Sequence, residues 1–119
     1  MAAPNLISAS TITGKTAVVN LTTATANVVT NSLASGTVDK LNTIILSNYT
    51  AVAVGANVVL NRSATVYYLG GNVSIPANSV LALLAKDTSI YLEEGDVIQA
   101  NVTANSAVTI TASYELISS

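Results

Sequence analysis

From Val108 to Leu116 every second residue is apolar. Val108, Ile110, Ala112, Tyr114 and Leu116 alternate with Thr109, Thr111, Ser113 and Glu115. A period of two belongs to a strand and not to a helix. An alternation this regular describes an antiparallel strand with one face on a core. The helical period of 3.6 residues is sustained nowhere in the chain, and β-branched residues dominate it.

The same signal recurs upstream. Around Val97 to Thr103, Ile98, Ala100 and Val102 share one face and Gln99 and Asn101 the other, and Thr103 to Ser106 reads as a hairpin loop into the last strand. Ser89 to Leu92 reads as a short strand, followed by a solvated turn at Glu93 to Asp96 with Gly95 free to take a positive φ. The apolar run in Ser79 to Lys86 predicts a strand covered on both faces or lying at a subunit contact, the first being the simpler reading. Leu69 to Asn72 reads as a loop, and Pro76 ends the segment that follows it. Thr65 to Leu69 and Ala56 to Asn61 are strands, and Val38 to Ser47 is the longest central candidate. Thr16 to Thr22 and Ala26 to Asn31 read as an early hairpin.

Nine or ten strands at this spacing predict a single all-β domain over residues 1–119, an antiparallel β-sandwich that is jelly-roll-like or Ig-like. Its core is expected to be Val, Ile, Leu and Ala, because the chain has no Phe and no Trp. Residues 1–10 lack core periodicity and are expected to form an extended N-terminal arm.

Composition narrows the function classes. Only 8% of the residues are charged, the net charge is −2, and there is no His and no Cys. A Ser-His-Asp triad, a disulfide and a zinc–thiolate site are therefore excluded. Four scattered cations, Lys15, Lys40, Arg62 and Lys86, cannot track a phosphate backbone, so no nucleic-acid partner is expected. No run of 18 apolar residues is present, so no membrane-spanning helix is expected, and the first residues lack the pattern of a signal peptide. Synthesis in the cytoplasm is the corresponding expectation. A dispersed monomer usually carries about a quarter or more charged residues on its surface. A chain that relies on Thr, Ser and Asn instead suits a subunit docked against others.

The candidate motifs are weak. Ala9 to Thr16 (ASTITGKT) matches a relaxed phosphate-loop pattern, but Lys15 and Thr16 lead into strand sequence where a helix is needed, so a plain Gly-Lys turn is expected. Glu93, Glu94 and Asp96 form the one dense acidic cluster. Carboxylates on a loop suit Ca²⁺, yet the spacing matches no calcium loop. Tyr67 and Tyr68 suggest a sugar platform, with one ring outward and the other in the core, since neighbours on a strand face opposite ways. The residues nominate no catalytic, cofactor-binding or metal-ligating set, and no enzyme is expected.

Residues 75–96 (IPANSVLALLAKDTSIYLEEGD), with the closing segment Ser113 to Ser118, resemble small virion structural proteins of tailed bacteriophages, those of marine and cyanobacterial phages above all. The opening Met1 to Asn5 and the stretch Thr13 to Ala17 are similar to the start of the same group. The resemblance implies a structural component of the virion, preferably a capsid decoration or cement protein, with a neck, tail or fibre protein as the alternative. A receptor- or carbohydrate-binding β-sandwich module is the further alternative. The partners implied are other virion proteins, such as the major capsid protein or neck and tail proteins, and copies of the chain itself. The expected role is burial of apolar and Thr/Asn-rich surface, with the Val80 to Ala85 strand as one candidate contact.

Overall fold

In the computed structural model, which describes residues 11–32, 35–84, 90–104 and 107–118, nine antiparallel strands form two packed sheets. The strands are β1 (Thr11–Asn20), β2 (Ala26–Thr30), β3 (Thr37–Asn48), β4 (Val54–Arg62), β5 (Thr65–Ile75), β6 (Ser79–Leu84), β7 (Ile90–Leu92), β8 (Val97–Val102) and β9 (Val108–Ser118). One sheet has the order β1-β9-β3-β6, with β7 also on β3. The other has the order β2-β8-β4-β5. β6 pairs with residues 44–48 of β3 and β7 with residues 39–41, so the two lie end to end along one edge of β3. Counted as one broken strand, they complete two four-stranded sheets with the double Greek-key wiring of a jelly roll. The strand order thus decides between the two expected sandwiches.

This wiring corrects two expected hairpins. β1 and β2 lie in different sheets, and so do β8 and β9. Each pair is joined by a crossing between the layers. The crossings run side by side, with Leu21 N donating to Val108 O at 2.9 Å and Val102 N to Thr22 O at 3.0 Å. Strand periodicity is a local property, whereas sheet assignment depends on which apolar faces meet, so neither crossing was readable locally.

The core lies between the sheets and is built from Val, Ile, Leu and Ala. Leu41, Ile44 and Leu46 of β3 meet Ile98 and Ala100 of β8 and Val108, Ile110 and Ala112 of β9, together with Leu21, Ile75 and Leu92. The faces expected for β8 are the observed ones. β9 keeps its alternation through Ala112. Near its end Leu116 is only partly covered, while Ile117 on the opposite face is buried beside its register partner Val38. The tyrosines stay out of the core, with only Tyr114 packing partly against it.

Three expectations on single elements are corrected. Leu69 to Asn72 is part of β5. Residues 70–73 face residues 56–58 of β4 across a bulge, and Asn72 takes a φ of 52°. Gly70 and Gly71 supply an irregular strand here and not a turn. β6 is an edge strand, with Leu81 and Leu83 toward the core and Val80 64% exposed. Its unbroken apolarity therefore does not reflect two covered faces. Gly14 and Lys15 sit inside β1, with no turn between them. The expected arm at residues 1–10 lies outside the described residues, as does Lys86.

Candidate assembly surface

The outer face of the β1-β9-β3-β6 sheet is assembled from the residues that alternate with the core. Register places them in cross-strand rows. Asn20, Thr109, Ser47 and Val80 form one row; Val18, Thr111, Ile45 and Ala82 form the next; Thr16, Ser113 and Thr43 form a third. No charged residue stands in these rows. Val18 is 61% exposed, and Val80 and Ile45 are exposed as well. Cross-strand Thr–Ser and aliphatic neighbours stabilise a sheet face while leaving it flat and uncharged.

The surface continues around the end of the sandwich. Tyr49 and Val52 are exposed on the loop after β3, and a shallow notch of about 260 Å³ lies between Tyr49, Asn78 and Val80. Asn48, 1% exposed, holds this corner rigid. Its Nδ2 donates to Val52 O at 2.9 Å, Ile75 O at 3.0 Å and Pro76 O at 3.2 Å. Its Oδ1 accepts from Thr50 N at 3.0 Å and Thr50 Oγ1 at 2.7 Å. A buried amide whose two N–H groups are shared among three carbonyls, and whose oxygen accepts twice, ties three segments together.

The described charges gather toward the opposite end. Lys40 and Glu115 stand opposite each other in the β3–β9 register. The Glu93 to Asp96 turn, expected to be solvated, is so at Glu93, whereas Asp96 folds inward to pair with the half-exposed Arg62. Asp96 is 1% exposed. Its carboxylate accepts from Arg62 Nε at 2.9 Å and Arg62 Nη2 at 2.6 Å, and from Glu93 N at 2.8 Å. Glu93 reaches the same guanidinium at 3.2 Å, and Glu94 Oε2 accepts Gly36 N at 2.7 Å. The hydrogen bonds that Arg62 donates to Asp96, helped by the charges of Asp96 and Glu93, raise the Arg62 pKa above its ordinary value. Gly95 takes the expected positive φ, at 90°. Among the described residues no group of three or more carboxylates is placed to hold a metal ion. Asn31 mirrors Asn48 at this end, donating to Thr37 O at 3.0 Å and Leu92 O at 2.9 Å.

At the same end, Asp39 lies buried on the core side of β3 with no hydrogen-bond partner for its Oδ1. Burial pushes its pKa up to about 6, against an opposing pull from Lys15. Burial also raises the Tyr114 hydroxyl, with the Asp39 charge adding to it.

No protein-family model and no curated protein matches this chain. The described residues contain no helix long and apolar enough to cross a membrane.

The expected sugar platform is rearranged. Tyr67 is 54% and Tyr68 67% exposed, so neither ring enters the core. The two rings do face opposite ways, but β5 is an edge strand and all of Thr65–Leu69 is exposed. Sequence reading missed Asn31, Asn48 and the pairing of Arg62 with Asp96. Each depends on loops brought together by the crossings between sheets, and a lone Asn or Asp in a turn carries no mark of its distant partner.

Proposed function

We propose that the chain is a structural subunit of a tailed-phage virion, a capsid decoration or cement protein. It docks on neighbouring virion subunits, and on its own copies, through the uncharged outer face of the β1-β9-β3-β6 sheet. The observation that carries this reading is the set of cross-strand rows without a charge, capped by exposed Val18, Ile45 and Val80. A sheet face that met only water would gain from Lys and Glu. The segregation of the described charges toward the other end gives the molecule a docking side and a wet end. The resemblance of residues 75–96 and 113–118 to phage virion proteins supplies the setting. Jelly rolls build viral capsids and lectins alike, so the fold leaves the choice to the surface.

Strand spacing and rise give the three rows a footprint of roughly 300 Å². A stable interface takes about 800 Å² from each partner. The adjoining Tyr49–Val52 corner and repetition over many copies must supply the difference, which is the arithmetic of avidity on a shell.

The double variant V18D/I45D tests this. Both side chains point away from the core, so the circular-dichroism spectrum should stay that of a β protein. Quantitative mass spectrometry of purified particles should show the variant depleted relative to the wild-type chain. If the wild-type chain itself is missing from purified particles, the reading fails.

A further inference from the structure

We propose that the outer face of the other sheet, β2-β8-β4-β5, carries a groove that binds a neutral sugar ring of an oligosaccharide or polysaccharide. The groove has a volume of about 160 Å³ and runs between Tyr68 and Val66 of β5 on one side and Gln99 and Asn101 of β8 on the other. Its floor is Val59, which faces away from the core and is nonetheless only 8% exposed. No charged residue lines it.

The polar wall is a set of linked amides. Asn57 Nδ2 donates to Asn101 Oδ1 at 3.0 Å, and Asn101 Nδ2 donates to Thr25 Oγ1 at 2.9 Å. Beside it, Asn61 Nδ2 donates to Gln99 Oε1 at 3.3 Å, and Gln99 Nε2 donates to Asn27 Oδ1 at 2.9 Å. A primary amide has two N–H donors and two lone pairs. These links use one of each on Gln99 and on Asn101. What remains is a fixed donor and a fixed acceptor on each, already oriented by the neighbours. A sugar hydroxyl donates and accepts at once, so it matches such a pair.

The apolar wall is the Tyr68 ring. It packs over Gly71, where an added Cβ would stand 3.3 Å from the ring carbon Cδ2. The glycine lets the ring lie close to the strand. The exposed aromatic surface offers an apolar platform for the C–H face of a pyranose, and the hydroxyl offers a polar edge. Other ligand classes fit less well. An anion would find no cation in the groove. A wholly apolar ligand would strip water from the amides and give nothing back. An extended peptide would seek a sheet edge and not a face. The groove and the assembly face lie on opposite sheets, so a docked subunit keeps the groove open.

The test is titration of the isotope-labelled chain with neutral gluco-, manno- and galacto-oligosaccharides, followed by NMR, with heparin as the anionic comparison. The expected result is shifts of the Gln99 and Asn101 side-chain NH₂ signals by at least one neutral series, with a Kd on the order of 1 mM or tighter. Tyr68→Ala should weaken that binding about tenfold, while the spectrum of the core residues stays in place. Gln99→Ala and V18D/I45D serve as internal references, the first weakening the binding and the second leaving it unchanged. Absence of shifts with all three neutral series would overturn the proposal. So would binding of heparin alone, or binding that survives both Tyr68→Ala and Gln99→Ala.

Discussion

Asp39 is the residue whose protonation most affects the fold. Its carboxyl is 2% exposed with one oxygen unpartnered, and its folded pKa stands at about 6 against an ordinary 3.8. Between those values the folded state holds a proton that the unfolded state has lost. The contribution of Asp39 to stability is therefore greatest below about pH 4, falls as pH rises to 6, and levels off above that. The cost of the charged form is on the order of 3 kcal/mol. Urea unfolding at pH 4.0 and 7.0 (chosen to bracket the transition) should show this loss, and Asp39→Asn should flatten it. Asn48 acts with the opposite sign. Asn48→Ala takes the amide away from Thr50 N and from the carbonyls of Ile75 and Pro76, while Val52 O keeps Thr50 Oγ1, and should cost about 1–3 kcal/mol, read from the urea midpoint. These roles were illegible in sequence. Asp39 sits in a strand like any other, and only the overlap of the two sheets decides that its carboxylate is dry. By contrast, the burial of Ile98, Ala100 and Val102 was legible, because alternation encodes it directly.

At the scale of elements, the β4–β5 connection shows both strain and anchoring. Its two loop residues, Ser63 and Ala64, take φ of 53° and 64°. That is the left-handed pair of a tight hairpin turn, for which Asn-Gly is the favoured sequence and Ala a costly one. The double substitution S63N/A64G should raise stability by about 1 kcal/mol, measured by thermal unfolding. Just before the turn, Arg62 neutralises Asp96 across to the β7–β8 turn. Arg62→Met would strand a buried carboxylate. It should cost toward the lower end of about 3–5 kcal/mol, since the guanidinium keeps part of its solvent access. Most strands were legible from periodicity. Which strands share a sheet was not. β1 with β2 and β8 with β9 are close in sequence but separated by the core, because a jelly roll sends these strands to opposite layers while it keeps β4 and β5 together. β5 was misread at Gly70-Gly71 because a bulge and a turn draw on the same residues.

For the whole molecule, the distribution of charge matters more than its amount. Low charge was plain in the composition. Its segregation emerged only when β3 and β9 placed Thr43, Ile45, Ser47, Thr109, Thr111 and Ser113 on one outer face and set Lys40 and Glu115 beyond them. Of the segment Val80 to Ala85, expected as a contact, Val80 and Ala82 stand at one margin of this face, and Ala85 lies outside the described residues. A reconstruction of the intact particle measures the central claim most directly. The account predicts density for this jelly roll with Val18, Ile45 and Val80 against a neighbouring subunit and the Arg62–Asp96 end in solvent. A particle in which the chain is bound with that face open to water would contradict it.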